Sequence, residues 1–301
     1  MSAPIPTRSV KLSQSPCAAD SSESAHRVPF RIPERLYGIV GHPLGHTLSP
    51  LLHNWGFALH SLPAVYMAWP VPPGRFASFM EAVRTLPVHG ASVTIPHKEE
   101  ALRLCDRVTD RARAVGAVNT LFLEDGVVCG ENTDVTGFLA PLRARGVRID
   151  EALVLGAGGA ARAVLAGLVE LGVRRVRISN RTHDKAMELA GAFGADVVPW
   201  DERGSAAAGL VVNTTPCGMQ GARMGESPLP EGAFSGRGMA YDLVYNPLTT
   251  RFLADARAAG WETQDGLGMF VEQGREQFRI WTGLDLPAEG ARRLIAEALG
   301  L

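Results

Sequence analysis

Residues 90–98 read Gly-Ala-Ser-Val-Thr-Ile-Pro-His-Lys, an apolar and β-branched run closed by a proline and followed by a single lysine. Val93 and Ile95 predict a short buried strand over Ser92–Ile95, with Thr94 facing the other way. Pro96 has no N–H to give to a ladder, so the strand should end there, and Lys98 opens a helical run to Cys105. A lysine at the C-terminal edge of a strand is placed to reach a cleft, where an ammonium can donate a proton to an oxygen or stabilise negative charge on it. Taken alone, Lys98 reads first as a solvated first-turn residue, so the rest of the chain must decide.

A second stretch, Gly156-Ala157-Gly158-Gly159-Ala160-Ala161, lies between the apolar strand Ala152–Leu155 and a helix reaching Leu171. Strand, Gly-x-Gly-x-x-Ala and helix in that order form the dinucleotide fingerprint. The first glycine permits the tight turn, the second lets the backbone approach a pyrophosphate, and the small third residue lets the helix pack on the sheet. The free N–H groups at the helix start then face the phosphates. No Gly-Lys-Ser/Thr follows, which excludes a P-loop. The next strand, Val176–Ser179, runs into Asn180-Arg181-Thr182 with Lys185 close behind. An NAD site would place a carboxylate there for the ribose hydroxyls. A neutral Asn180 beside cationic Arg181 and Lys185 suits a 2′-phosphate instead, so the sequence predicts NADP over NAD. The bland alternative is that both cations are solvated helix-start residues.

The elements that must carry these residues alternate. The 301 residues are 46% hydrophobic and 20% charged, with net charge −1, a composition suited to two domains and without a charged surface for nucleic acid or an anionic membrane. The scattered cysteines (17, 105, 129 and 217) fit a reducing cytoplasm rather than a disulfide or zinc framework. No run is long enough to span a bilayer. Residues 1–33, rich in Ser, Pro and Ala and without an apolar core segment, read as a disordered tail. Leu36–Val40 is a strand leading into the loop 41–47. Ser49-Pro50 offers an N-cap and first-turn proline for a helix through Leu59. Strand Ala64–Val71, helix Phe76–Leu86, helix Asp110–Val115, and strands Val118–Leu123 and Val127–Cys129 flanking an Asp125-Gly126 hairpin turn complete the first half. Helix Thr133–Arg145, then Lys185–Phe193, strands Asp196–Val198, Leu210–Asn213 and Met239–Val244, helix Leu248–Ala259, strand Trp261–Gln264 and helices Gly266–Trp281 and Ala288–Leu299 follow. The alternation predicts an α/β fold with mixed pairing at one edge of the first sheet.

Taken with Gly45-His-Thr-Leu-Ser-Pro50, Gly116-Ala-Val-Asn-Thr120, Asn132-Thr-Asp134, Asn213-Thr-Thr-Pro-Cys-Gly-Met219, Tyr241-Asp-Leu-Val-Tyr245 and Gly266-Leu-Gly-Met-Phe-Val-Glu-Gln273, these stretches resemble, in order and spacing, the shikimate dehydrogenase family, from about Leu36 to the C-terminus. The resemblance implies reversible reduction of 3-dehydroshikimate by NADPH. It also implies an N-terminal substrate domain (34–134, with the last helix, 286–301, returning to it), a C-terminal Rossmann-type NADP domain (135–285) and a cleft between. By motif match, Lys98 is the implied catalytic lysine and Asp134 its carboxylate partner. Thr47 and Ser49 are the implied hydroxyls for the substrate carboxylate, and Thr94, Asn119, Tyr245 and Gln273 fall on other substrate-contacting positions. Asp110, Leu243 and Gly266 border the cleft or the nicotinamide. Hydride reaching a ketone carbon leaves negative charge on oxygen; an ammonium held by a carboxylate through a charge-assisted hydrogen bond supplies the proton.

Two residues depart from the commonest family pattern. Ser92 replaces an asparagine and Thr47 the first serine, which leaves quinate or an aminoshikimate open as substrates. Ser49 could also serve only as a helix cap. His42 and His46 are separated by Pro43 and Gly45, so a helical metal site is not expected, and no metal is predicted. Met269 reads as core or cleft lining, and the 284–299 stripe as helix packing. The expected partners are a cyclic hydroxy-acid and NADP, in the cytoplasm, with neither nucleic acid nor membrane involved; a homodimer is an open option. A nucleotide-binding sensor without chemistry is the alternative from a different class.

Overall fold

A computed structural model describes residues 32–45, 47–207 and 209–301; the predicted tail up to residue 31, Cys17 and His46 lie outside them. The first half builds a mixed sheet from β1 (Arg35–Gly41), β2 (Ala64–Pro70), β3 (Val88–Val93), β4 (Arg107–Val108), β5 (Thr120–Glu124) and β6 (Val127–Glu131), in the order β2-β1-β3-β5-β6-β4. β2, β1 and β3 run parallel because α1 (Ser49–Leu59) and α2 (Phe76–Thr85) supply the crossovers. β5 and β6 pair antiparallel through Asp125-Gly126, whose φ values of 52° and 79° are those of a primed hairpin turn. α3 (Lys98–Leu104) and α4 (Asp110–Val115) are short.

The second sheet is wholly parallel: β7 (Glu151–Leu155), β8 (Arg175–Ser179), β9 (Asp196–Val197), β10 (Gly209–Asn213), β11 (Gly238–Asp242) and β12 (Glu262–Gln264). Its order, β12-β11-β10-β7-β8-β9, is the doubly wound one, with the switch point between β7 and β10, where such folds bind dinucleotides. Ala152, Leu153, Val154 and Leu155 are fully buried, as an unbroken apolar run in a parallel strand covered on both faces must be. α6 (Gly159–Glu170), α7 (His183–Phe193) and α8 (Arg251–Ala258) cover this sheet.

Two helices, α5 (Asp134–Arg145) and α9 (Leu267–Thr282), connect the two sheets. α5 packs with α6 in the core of the second sheet, through Phe138, Leu139 and Leu142. α9 lies along α5, and it comes close because Gly137 has no side chain: a Cβ there would sit 2.6 Å from the Met269 carbonyl oxygen. The far end of α9, Phe278 and Trp281, enters the core of the first sheet with Tyr37, Phe57 and Tyr66, and α10 (Ala288–Ala298) joins it there through Ala291 and Ile295.

Several local expectations are corrected. The strand before Lys98 is Val88–Val93, not Ser92–Ile95: the chain leaves the sheet after Val93, and Ile95 is 69% exposed rather than buried. The two-residue β4 carries no periodic signal and went unpredicted. Ser49 is the first residue of α1, after Leu48 at the cap, and among the described residues no side chain caps that helix. Capping therefore does not occupy the Ser49 hydroxyl.

Candidate active site

Lys98 begins α3, and its Nζ donates to Asp134 Oδ2 at 2.5 Å. Asp134 begins α5, and its Oδ1 accepts from Asn119 Nδ2 at 2.8 Å. The side chains of Lys98 and Asp134 are 14% and 9% exposed, so a thin opening reaches them and most of the solvent is excluded. Asn119, between α4 and β5, is held in one orientation: its Oδ1 accepts from Thr133 N and Thr120 Oγ1, which leaves Nδ2 to donate to Asp134. Three residues far apart in the chain thus converge because a strand end, a hairpin start and a helix start meet at one edge of the first sheet.

The second sheet brings its glycine loop to the same place. A Cβ on Gly159 would lie 3.3 Å from Lys98 Cδ, and Arg162 on α6 reaches Glu99 on α3 at 3.5 Å. Gly156 has φ of 109°, and a Cβ there would lie 2.5 Å from Thr214 Oγ1, so both conformation and space demand glycine. Among the described residues, nothing lies within 4 Å of a Cβ built on Gly158. That face of the loop is open among the described residues, and none of their side chains caps the free N–H groups at the start of α6. Beyond β8, Asn180 Nδ2 donates to the Thr182 carbonyl at 2.9 Å and shapes the turn. Arg181, Thr182 and Lys185 are exposed, and neither cation forms an ion pair within 4 Å among the described residues. A bare N-terminal turn, an open glycine and two exposed cations one strand away fit a dinucleotide carrying a 2′-phosphate.

The other candidates divide. Ser49 is buried with its hydroxyl against the Tyr66 phenol, and Thr47 Oγ1 accepts from Ser49 N at 3.4 Å, so the loop curls back on itself at these two residues. Tyr245 packs against Phe270 with the rings tilted by 33°, and its phenol, pushed upward in pKa by burial, takes a backbone hydrogen bond from Leu48; it reaches from the second half into the loop of Thr47 and Ser49. Thr94 lies half-buried just past β3. Gln273, on α9, is beside Gly137 and donates its amide to the Phe270 carbonyl. Gly266 presses on the Leu243 carbonyl, where a Cβ would come within 2.3 Å, so these two form one corner at the ends of β11 and β12. Asp110 stands apart, exposed in the first turn of α4 with no hydrogen bond to the others among the described residues. That corner is anchored by Asp242, whose carboxylate accepts from Asn213, Val244 N and Thr250; burial nevertheless pushes its pKa up to about 7.

Ser92 faces inward. Its hydroxyl accepts from Tyr66 at 2.6 Å and donates to Gln277 at 2.7 Å, and both are internal. Its one proton and its acceptor capacity are thus both used within the protein. Tyr66 and Gln277 carry no signal in the sequence, being one tyrosine in a strand and one glutamine on an amphipathic helix.

A doubly wound parallel sheet presenting an open glycine loop to a buried lysine–carboxylate pair on a second α/β lobe defines a nicotinamide-nucleotide-dependent dehydrogenase. Residues 39–121 match the shikimate dehydrogenase substrate-binding domain, 139–210 the shikimate/quinate 5-dehydrogenase family and 266–295 the shikimate 5′-dehydrogenase C-terminal domain. The chain is 58% identical over 271 residues to the NADP⁺ shikimate dehydrogenase of Oleidesulfovibrio alaskensis, covering 89% of this chain and 97% of that one. It is 49% identical over 267 residues to that of Maridesulfovibrio salexigens, covering 89% and 98%. The crystal structure of the Thermus thermophilus shikimate 5-dehydrogenase in complex with NADP(H) and shikimate superposes with a TM-score of 0.80 at 40% identity, covering 87% of this chain and 99% of that one. The chain belongs to the shikimate dehydrogenase family.

Proposed function

We propose that this protein catalyses the reversible, NADPH-dependent reduction of 3-dehydroshikimate to shikimate. The observation that carries the reading is the Lys98–Asp134 pair, nine-tenths buried at the carboxylate and lying against Gly159 of the dinucleotide loop. The α6 N-terminus with Gly156, Ala157, Gly158, Gly159 and Ala160 would hold the pyrophosphate. Arg181 and Lys185, with Asn180 and Thr182 shaping the turn, would hold the 2′-phosphate. NADPH supplies the hydride when bound. Lys98 donates the proton to the ketone oxygen as charge develops on it, and in the opposite direction it takes that proton back from the hydroxyl. Asp134 keeps the ammonium aimed, and Asn119 keeps Asp134 aimed. Thr47 would donate its hydroxyl to the substrate carboxylate, and Ser49 would do so once its hydroxyl turns from the Tyr66 phenol. Tyr245 and Gln273 close the site from the second half, and Thr94 lines it from the end of β3.

The test is a kinetic panel of the purified protein with shikimate and quinate against NADP⁺ and NAD⁺, followed by cofactor absorbance. Shikimate with NADP⁺ should have the highest kcat/KM. No measurable oxidation of shikimate would reject the reading. Tight NADPH binding without turnover of either acid would favour a sensor.

A further inference from the structure

A continuous, buried hydrogen-bond chain runs behind the site from Tyr66 to Lys98. The Tyr66 hydroxyl donates to Ser92 Oγ at 2.6 Å, and Ser92 donates to Gln277 Oε1 at 2.7 Å. Gln277 Nε2 donates to the Asn119 carbonyl at 3.2 Å and to Thr120 Oγ1 at 3.1 Å. Thr120 donates to Asn119 Oδ1 at 2.8 Å, Asn119 to Asp134 Oδ1 at 2.8 Å, and Lys98 meets the other carboxylate oxygen. Tyr66, Ser92, Gln277, Thr120 and Asn119 are each no more than 5% exposed, so bulk solvent does not compete for these bonds.

The direction of every bond is forced. A backbone carbonyl only accepts, so the end of Gln277 facing Asn119 must be the NH₂ and the other end the oxygen. Ser92 must then donate to Gln277, and its remaining capacity accepts from Tyr66. Both Gln277 N–H groups are spent, and the second turns the Thr120 hydroxyl so that it donates to Asn119 Oδ1. That reinforces the one amide orientation in which Nδ2 points at Asp134. At the far end, the Tyr66 phenol lies against the Ser49 hydroxyl. The chain therefore joins the place proposed for the substrate carboxylate to the place proposed for proton transfer.

We propose that Gln277, acting with Ser92, is a positioning residue for this reaction: from α9 it fixes the Asn119 amide, and through it the Asp134 carboxylate and the Lys98 ammonium. This rests on the function proposed above. Gln277 touches neither Lys98 nor the glycine loop, so its loss should appear in the chemical step and not in cofactor binding. It also accounts for serine at position 92: a short hydroxyl leaves room for a glutamine from α9 and uses both its donor and its acceptor on internal partners.

The experiment compares wild type, Ser92→Ala, Gln277→Met and the double variant for shikimate oxidation with NADP⁺, with thermal unfolding of each. Methionine fills a similar volume with no donor or acceptor. Gln277→Met should lower kcat at least tenfold with KM for NADP⁺ within twofold of wild type, and Ser92→Ala should lower kcat about fivefold. The double variant should lose little more than Gln277→Met alone, because both interrupt one chain. A folded Gln277→Met with kcat within twofold of wild type overturns the inference, as do losses that multiply in the double variant. If Gln277→Met does not fold, Ser92→Ala decides alone, and unchanged kcat in it is equally fatal. A wild-type protein inactive on shikimate overturns the functional reading and the inference with it; normal wild-type turnover with unaffected variants overturns only the inference.

Discussion

Replacing Lys98 by methionine separates proton delivery from the other things the side chain does. Methionine keeps methylenes against Gly159, where the lysine stem now packs, and removes one charge and one donated hydrogen bond, the 2.5 Å contact to Asp134. A positioned general acid is worth about 10²–10⁴-fold, which at about 1.4 kcal/mol per decade places about 3–5 kcal/mol on the barrier. The effect on stability is smaller. Asp134 Oδ2 loses its donor while Oδ1 keeps Asn119, and the pair is not wholly sealed from water, so the variant should lose about 1–3 kcal/mol. Initial rates of NADP⁺ reduction by shikimate measure kcat. Quenching of tryptophan fluorescence on titration with NADP⁺ measures binding, which should stay within twofold. A kcat within tenfold of wild type, with cofactor affinity intact, would refute Lys98 as the proton donor. A matched loss of affinity would show that the lysine acts through the cofactor loop.

Arg181→Gln should raise KM for NADP⁺ about ten- to hundredfold, the worth of one charge-assisted contact of about 1.5–3 kcal/mol, and leave NAD⁺ kinetics unchanged; an equal effect on both cofactors would remove the 2′-phosphate from the argument. Gly159→Val places branched carbons against Lys98 Cδ, 3.3 Å from the Cβ position, and should weaken NADP⁺ and lower kcat together by at least tenfold, with the fold retained by circular dichroism. Two buried groups set opposite pH dependences of stability. His53, in the aromatic core with Tyr66, Phe278 and Trp281, is driven by burial from 6.5 to about 3, partly opposed by the neighbouring Gln277 amide, and neither ring nitrogen has a hydrogen-bond partner among the described residues. The unfolded chain therefore binds the extra proton first, and up to about 5 kcal/mol of stability is lost as pH falls from 6.5 towards 3, at about 1.4 kcal/mol per pH unit. Asp242, raised from 3.8 to about 7, stays protonated in the fold after the unfolded chain has ionised, so its contribution falls as pH rises from about 4 to 7. Urea midpoints of wild type should thus vary little between about pH 4.5 and 6.5, whereas Asp242→Asn, freed of the opposing slope, should lose stability steeply on acidification; parallel curves for the two proteins would refute this assignment.

The parts of the site legible in the sequence are those where chemistry restricts the residue type. A parallel strand running into glycines has few other uses than a phosphate turn, and Arg181 and Lys185 in place of a carboxylate point to the 2′-phosphate without any coordinates. Lys98 was legible as a residue beyond a strand, but not the strand itself: the apolar pattern of Val93 and Ile95 fits a strand, yet the ladder begins at Val88 and stops before Thr94, so Ile95 is solvent-facing. Local alternation cannot register that the sheet has run out of partners. β4 is too short to have a period at all. Ser49 before Pro50 has the composition of a helix cap, but the cap position falls one residue earlier, and only the backbone path shows it.

What stayed hidden is the support behind the site, for a geometric reason. Tyr66, Ser92 and Gln277 span more than two hundred residues of chain, and each is ordinary in its own segment; only the crossing of α9 over α5 at Gly137 carries the glutamine to the first sheet. The same crossing puts Gln273, one turn earlier on α9, beside the helix that begins with Asp134. One helix thus carries one glutamine beside α5 and, a turn later, a second into the hydrogen-bonded chain that ends at Asn119. A sensor that only bound NADPH would need the glycine loop and the two cations. It would have no use for a carboxylate held on one oxygen by an asparagine of fixed orientation and on the other by a nearly buried ammonium. Burying those charges is unfavourable unless each is paired, and the groups that pair them here are the ones a proton transfer requires.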